Sequence, residues 1–178
     1  MSTLAADHPE SWLALRARGG GLERVGALAE AGDVYDIALE VAPNNYQLLV
    51  EVAGFKHRIG DHEGAEELLA RAIQLLPDYS VAYERLSEQK LLDGDGRSAH
   101  AVALAGLARV GSHRGLWALV SESYVAKGDL DAAVRARRAA LGQDSTSVSD
   151  WTRLGDLLEL AGDTVSAEAA RAHATSRP

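Results

Sequence analysis

The sequence of 178 residues contains no cysteine, few aromatic residues and only four prolines. Without cysteine the chain cannot form disulfide bonds, bind a metal through thiolates or use a thiol as a catalytic nucleophile. Aromatic residues account for 5% of the chain and hydrophobic residues for 47%, with alanine and leucine frequent. This composition predicts a soluble, mostly helical protein.

Long apolar runs and an excess of positive charge are also missing. The chain has no run of about 18 consecutive apolar residues, and its first residues, MSTLAADHPES, lack the basic and apolar regions of a signal peptide. We therefore expect a cytoplasmic protein without a membrane partner. The 26 acidic and 18 basic side chains give a net charge of −8, which repels phosphate backbones and argues against nucleic acid as a partner.

A glycine-aspartate pair recurs at a fixed spacing of 34 residues. The pairs are Gly60-Asp61, Gly94-Asp95, Gly128-Asp129 and Gly162-Asp163. A constant period of this length indicates stacked units that bury their apolar faces against one another. Glycine tolerates the left-handed backbone that ends a helix, and aspartate accepts hydrogen bonds from the free amides that begin the next one. Each pair therefore predicts the turn between the two helices of a repeat.

Residue size repeats with the same period. Small residues stand five and twelve residues after each glycine and seven before it, and a large apolar residue stands eleven before it. The small residues are Ala65, Ala99, Ala133, Ala167, Ala72, Gly106, Ala140, Ala174, Ala53, Ser87, Ser121 and Gly155, and the large ones are Leu49, Tyr83, Trp117 and Trp151. Small residues at a helix crossing, with a large residue wedged beside them, predict closely packed antiparallel helix pairs.

These features together resemble the tetratricopeptide repeat (TPR), a 34-residue helix-turn-helix with small-residue positions, Gly-Asp at the turn and proline near its end. The end position is Pro77 in one repeat, but Gly111 and Ser145 in the next two. The resemblance covers nearly the whole chain. It implies an all-α fold, an α-solenoid of about five antiparallel helix-turn-helix repeats that form a right-handed superhelix, as a single domain over residues 1–178.

The pair Gly32-Asp33 departs from the period, because it lies 28 residues before Gly60. Counting back by 34 residues instead makes Gly26 the turn glycine and gives residues of the expected types at the other positions. Those residues are Leu15, Gly19, Ala31, Ala38 and Pro43. We therefore place Gly32 inside a second helix. The repeats are then predicted at residues 12–45, 46–79, 80–113, 114–147 and 148–178.

The first helix is the least regular part of this prediction. Asp7 or His8, followed by Pro9, can start it, since proline suits the opening turn of a helix. The three glycines at 19–21 weaken a helix most, so we expect the first helix to be frayed, kinked or broken there. In the alternative, that helix ends at the glycines, and residues 22–31 and 34–42 form separate helices.

Candidates for catalysis or metal binding are few. The segment HRIGDHE, residues 57–63, holds two histidines five residues apart across a predicted turn, whereas a zinc helix of the HExxH type needs them four apart on one face. The glycines of RARGGGLERVG lack the lysine of a phosphate-binding loop and follow a helix. Ser121 and Ser123 lie within a predicted helix, where a small residue at a crossing is the simpler interpretation. We predict no cofactor, no metal and no enzymatic activity.

The resemblance further implies that the first helices of successive repeats line a concave groove that holds a peptide or a partner's helix. Residues at the groove positions predict a basic N-terminal end that includes Arg24, an apolar middle and an acidic C-terminal end. The predicted lining is Arg16, Arg58, Val81, Glu84, Glu88, Leu91, Leu92, Glu122, Val125, Asp156 and Glu159. Gly20 and Gly54 stand where TPR domains that clamp a C-terminal carboxylate carry asparagine, which argues against binding a chaperone tail.

The hypothesis is therefore an interaction scaffold or adaptor that binds a partner protein or peptide with basic residues facing Glu88, Glu122 and Asp156. These acids can equally be solvated surface in an acidic protein. A second hypothesis is self-assembly into a homo-oligomer through an edge or the convex face. A third is an enzyme or enzyme subunit with a helical pocket near His57 and His62 or near Trp117 and Trp151.

Overall fold

The computed structural model describes residues 11–176, and every regular element in that range is an α-helix. The ten helices of this range are α1 (Trp12–Arg24), α2 (Leu28–Val41), α3 (Tyr46–Arg58), α4 (His62–Leu75), α5 (Ser80–Leu92), α6 (Gly96–Val110), α7 (Arg114–Ala126), α8 (Leu130–Gln143), α9 (Val148–Leu160) and α10 (Thr164–Thr175). None of them is long and apolar enough to cross a membrane. The all-α fold class of antiparallel helix pairs is confirmed.

The helices follow the 34-residue period of the sequence. The first helices begin at residues 12, 46, 80, 114 and 148, and the second helices at 28, 62, 96, 130 and 164. The chain separates into two compact units, Met1–Pro77 with helices α1 to α4 and Asp78–Pro178 with helices α5 to α10. A single domain over residues 1–178 stays a prediction, as does the hand of the superhelix.

The turns between the paired helices have the chemistry expected of glycine and aspartate. Gly128 has a φ of +76°, in the left-handed region that ends a helix without strain only for glycine. Asp129 then accepts a hydrogen bond from the amide of Ala132, at 2.9 Å between Oδ1 and N, and so caps α8. The aspartates of the other three pairs cap α4, α6 and α10 through their side chains in the same way.

In the first repeat the turn has the same backbone geometry, but its glycine is not followed by aspartate. Gly26 ends α1 with a φ of +80°, and Gly32 lies inside α2, as predicted. Ala27 takes the capping position and provides no side-chain hydrogen bond, so α2 lacks the aspartate cap of the other second helices.

Helix α1 runs without interruption through the three glycines, so the predicted break there is wrong. The alternative division into helices at 22–31 and 34–42 is wrong for the same reason. Gly19 is buried, and a Cβ added to it would lie 2.7 Å from Cε1 of Tyr35. Glycine therefore admits the tyrosine ring against α1, and this packing outweighs the low helix propensity. Ser11 caps the helix; the predicted start at Asp7 or His8 and Pro9 lies outside the described residues.

The core of the first unit forms around this contact. Tyr35 is 1% exposed and packs against Phe55, with 5.0 Å between the ring centroids. Apolar side chains from α1, α2 and α3 complete the cluster, namely Leu15, Ala31, Val34, Ala38, Leu48 and Val52.

In the second unit the small-residue positions place the paired helices in direct contact. Ser87 donates a hydrogen bond to the carbonyl oxygen of Ala99 at 2.9 Å, and Ser121 donates to that of Ala133 at 2.8 Å. Both serines are completely buried at the crossing, as their interpretation as small crossing residues predicts. Each buried serine hydroxyl is thus hydrogen-bonded and leaves no unsatisfied donor in the core.

Replacing Gly19 and Gly21 separately by alanine should change stability in opposite directions. Gly19→Ala forces a methyl group into the Tyr35 ring and should lower the free energy of unfolding by about 1–3 kcal/mol. Gly21→Ala meets only the end of the Arg24 side chain, at 3.9 Å, and should raise that free energy by about 0.5–1 kcal/mol through helix propensity. Chemical denaturation measures both. Equal effects of the two substitutions would contradict the Tyr35 contact.

Candidate partner-binding surface

Nine of the predicted lining residues lie on the first helices of the second unit, α5, α7 and α9. We call their exposed side the first-helix surface. Its residues are Val81, Glu84, Glu88, Leu91, Leu92, Glu122, Val125, Asp156 and Glu159, none of them fully buried. The neighbouring Leu160 ends α9 as Leu92 ends α5, and these two leucines are 64% and 70% exposed. The surface therefore offers apolar and acidic groups together.

An ion-pair network beneath this surface joins α7, α8 and α9. Its centre is Asp150, which is 2% exposed and accepts hydrogen bonds from Arg137 Nη1 at 2.6 Å and Arg114 Nη1 at 2.8 Å. Arg137 is itself only 5% exposed and also donates to the carbonyl oxygen of Ala118 at 3.3 Å. Charges this deeply buried persist only when they are paired and hydrogen-bonded, and each pairing here joins two different helices.

Glu122, the central acid of the predicted column, belongs to the same network. Its Oε1 accepts from Arg137 Nη2 and from Arg153 Nε at 3.0 Å, and its Oε2 accepts from Arg153 Nη2 at 2.6 Å. Both carboxylate oxygens are therefore occupied by arginines of the same chain. A basic ligand would have to displace one of these arginines to reach Glu122.

The network shifts the pKa values of Asp150, Arg114 and Arg153. Burial alone would raise the pKa of Asp150, but hydrogen bonds from Arg114, Ser147 and Arg137 outweigh it and hold this pKa below its ordinary value. The hydrogen bond to Asp150 raises the pKa of Arg114, and the hydrogen bonds to Glu122 raise that of Arg153. Asp150, Arg114 and Arg153 are therefore held in their charged forms.

Three of the other predicted acids are paired more loosely and stay accessible. Arg171 of α10 contacts Asp156, at 3.0 Å, and also Glu159, and the two acids keep 43% and 55% of their side chains exposed. Glu88 pairs with Arg85 on its own helix at 2.9 Å and is 50% exposed. Exposed pairs of this kind contribute about 0–1 kcal/mol each, so a ligand can exchange with them at little cost.

In the first unit, the predicted basic residues pair with acids across the first helices. Arg16 of α1 contacts Glu51 of α3, with 2.7 Å between Nε and Oε2, and Arg58 of α3 contacts Glu23 of α1. Arg24 lies exposed at the end of α1. The two basic lining residues are thus bonded within the unit.

The histidine and serine candidates have local structural roles. His57 and His62 face each other across the turn, with 3.0 Å between their Nδ1 atoms, while the intervening Asp61 caps α4 and accepts from Lys56 Nζ at 2.8 Å. Sequence reasoning missed one pair, His100 and Ser123, which is 23 residues apart in the chain.

The His100–Ser123 pair is not arranged for nucleophilic catalysis. Ser123 Oγ donates to the carbonyl oxygen of Val120 at 2.7 Å, so its proton points away from the imidazole 2.8 Å away. Burial lowers the pKa of His100, which favours a neutral ring that donates from Nδ1 to the serine oxygen. A base in a Ser-His catalytic pair must instead accept the serine proton.

Comparisons with known proteins agree with the repeat architecture. No protein-family model matches the chain. The Hsp70-Hsp90 organizing protein of Triticum aestivum is 29% identical over 78% of this chain, which spans about a quarter of that protein, 24% of its length. Among solved structures, residues 41 to the end of MamA from Desulfovibrio magneticus RS-1 superpose with a TM-score of 0.74 at 18% identity, covering 99% of this chain and 96% of that one.

Two further structures are of TPR proteins by name. A thermophilic TPR protein of Thermus thermophilus gives a TM-score of 0.71 at 18% identity and covers 94% of this chain and 93% of that one. YrrB, a TPR protein with an unusual peptide-binding site, gives 0.63 at 14% identity and covers 96% and 88%. The chain therefore has the fold of the TPR proteins, and the resemblance noted in its sequence is confirmed.

Removing the central arginine of the network should destabilise the second unit strongly. Arg137→Ala leaves buried Asp150 with Arg114 as its one charged partner among the described residues and should lower the free energy of unfolding by about 3 kcal/mol. Arg138→Ala removes an equal charge from the adjacent exposed position and should change that free energy by no more than about 0.5 kcal/mol. Denaturant titration of both variants provides the measurement. A loss as large in Arg138→Ala would show that the location of Arg137 is irrelevant.

Stability should also depend on pH through Asp150. Its pKa is lower in the folded than in the unfolded chain, so its contribution is fully present above the unfolded value of about 3.9 and is lost as pH falls through the folded value. Asp150→Asn cannot lose that contribution on acidification. The free energy of unfolding of this variant should therefore fall less steeply below about pH 4.5 than that of the wild type. Identical slopes in denaturation series at several pH values would refute the ion pairing of Asp150.

Proposed function

We propose that the chain is a non-enzymatic interaction scaffold whose first-helix surface binds a peptide segment of a partner protein. The observation that carries this proposal is the combination of exposed Leu92 and Leu160 with the half-exposed acids Glu88, Asp156 and Glu159. The peptide-binding site named for YrrB and the organizing role named for the Triticum aestivum protein support it by analogy of fold.

The chemistry of the surface defines the ligand. An extended or helical peptide with apolar residues against the leucines and Val125 would bury most of the available apolar area, and its lysine or arginine side chains would face the accessible acids. Each exposed charge pair contributes about 0–1 kcal/mol, so the apolar contacts must supply most of the affinity. The acids then select basic over acidic peptides.

Glu122 has a different role in this proposal from the one its place in the column suggests. Because its oxygens already accept from Arg137 and Arg153, it holds α7, α8 and α9 in position instead of meeting the ligand. The predicted preference for basic residues therefore depends on Glu88, Asp156 and Glu159. A cytoplasmic location and the exclusion of nucleic acid, membrane and cofactors remain part of the proposal.

Binding to an array of synthetic peptides tests the ligand chemistry. Peptides of about twelve residues that combine leucine with lysine or arginine should bind more tightly than those that combine leucine with glutamate. The variant with both Glu88→Lys and Glu159→Lys should bind the basic peptides about tenfold more weakly, a loss of about 1.4 kcal/mol. Fluorescence anisotropy gives the affinities, and amide chemical shifts locate the peptide.

A variant with both Asp131→Lys and Glu168→Lys is the matched control, because it changes the net charge equally on the second helices α8 and α10. It should bind the same peptides with the wild-type affinity to within about twofold. Equal weakening in both variants would mean that only net charge matters. A failure of the basic peptides to shift the α5, α7 and α9 amides would rule out the first-helix surface as their site.

A further inference from the structure

The second unit carries two equivalent apolar grooves on its second-helix side. The first, of about 360 Å³, lies between α6 and α8 and has α7 as its floor. The second, of about 470 Å³, lies between α8 and α10 and has α9 as its floor. Leu104, Trp117, Val120 and Tyr124 line the first groove, and the residues 34 positions later, Arg138, Trp151, Leu154 and Leu158, line the second. The repeat thus builds the same tryptophan-floored groove twice.

Arginines of α8 line both grooves, Arg135 the first and Arg138 the second, and α10 at the far side of the second groove carries one acid and one arginine. Helix α6 has two arginines, Arg97 and Arg109, and no acid, and α8 exposes Arg135 and Arg138 against a single acid, Asp131. Within residues 11–176, Arg97, Arg109 and Arg135 form no ion pair, whereas Arg138 lies near Asp163. A basic face is a local departure in a chain of net charge −8. We call this face, with its two grooves, the basic grooved surface.

The first unit has the opposite charge on its second helices. Helix α2 has four acids and no basic residue, and α4 has three acids and only Arg71, which donates to Asn44 Oδ1. These seven acids are all exposed: Glu30, Asp33, Asp36, Glu40, Glu63, Glu66 and Glu67. Beside them, Val25 and Leu28 are 79% and 46% exposed at the turn into α2. We call the exposed side of α2 and α4, with these two apolar residues, the acidic surface.

We propose that the basic grooved surface of one molecule binds the acidic surface of a second copy. The two surfaces have complementary charges, and the exposed Val25 and Leu28 provide apolar groups for a groove floored by Trp117 or Trp151. Contacts between two acidic surfaces or between two basic grooved surfaces would oppose like charges, which costs affinity. Charge therefore favours a contact between unlike surfaces, and such a contact produces chains or rings of molecules.

Ion pairs and apolar contacts contribute differently to this assembly. Exposed ion pairs select the unlike surface and accelerate the encounter but add little to affinity. The apolar contact at the grooves sets the lifetime of the complex, as central buried anchors do in most interfaces. The basic grooved surface has second helices as its rims and the tryptophan sides of α7 and α9 as its floors, so it shares no side chain with the first-helix surface proposed to bind a peptide.

Analytical ultracentrifugation of the full chain tests the assembly. At about 20 mM salt the weight-average mass should rise with protein concentration, and at about 0.5 M salt it should return toward the monomer because the rim charges are screened. A variant with Asp33→Lys and Asp36→Lys and another with Arg97→Glu and Arg135→Glu should each stay monomeric at low salt. Circular dichroism confirms that both variants are folded.

Mixing these two variants gives the decisive result. Each variant keeps the surface that the other has lost, so the intact acidic surface of one can bind the intact basic grooved surface of the other, and the equimolar mixture should form heterodimers at low salt. One chain that carries all four substitutions has neither surface intact and should stay monomeric. Glu88→Lys with Glu159→Lys, which alters only the first-helix surface, should associate like the wild type.

Four outcomes would overturn the proposal. A wild-type chain that is monomeric at about 100 μM and low salt excludes the contact at any useful strength. Folded variants that still associate singly, or a mixture that stays monomeric, would show that the two surfaces do not meet. A monomeric wild type whose grooves bind a synthetic leucine-glutamate peptide, with loss of binding in the Arg97→Glu and Arg135→Glu variant, would replace the second copy by a foreign acidic partner.

Discussion

The close crossing of the two helices in each repeat is the constraint on which the other features depend. At that crossing the first helix has a small residue, Ser87, Ser121 or Gly155, because a larger side chain would not fit. At Gly155, for example, even a Cβ would lie 2.8 Å from Cγ of Arg171. Because the crossing fixes the rotation of both helices about their axes, every other side chain on them points in a defined direction. The 34-residue period then repeats each surface position, which is why the tryptophan-floored groove occurs twice.

The turns and helix starts could be predicted because their causes are local. A left-handed residue at the end of one helix and an oxygen that caps the next need only Gly128 and Asp129, or their equivalents. The integrity of α1 could not be predicted in this way. It depends on Tyr35, which packs on Gly19 from another helix, and the propensity of a glycine run contains no information about that contact.

The side-chain pairing at the candidate surface could not be predicted from the sequence, for a related reason. Glu122 was found from its position in the period, but its partners Arg137 and Arg153 lie 15 and 31 residues later in the chain. Three arginines follow one another closely in the segment RARR of α8, and only the packing of that helix decides that Arg137 is the buried one. A local signal existed only for the helix start, where the hydroxyl of Ser147 accepts a hydrogen bond from the amide of Asp150 as an N-cap serine does.

Helix α7 belongs to both of the proposed binding surfaces. Trp117, Val120 and Tyr124 point to the groove, whereas Glu122 and Val125 belong to the first-helix surface. The two surfaces share the helix but share none of these side chains, and ligands without common contacts affect each other little when the structure between them is rigid. The network of Arg137, Asp150 and Glu122 supplies that rigidity, because it bonds α7 to α8 and α8 to α9. The two ligands proposed for these surfaces therefore do not exclude each other.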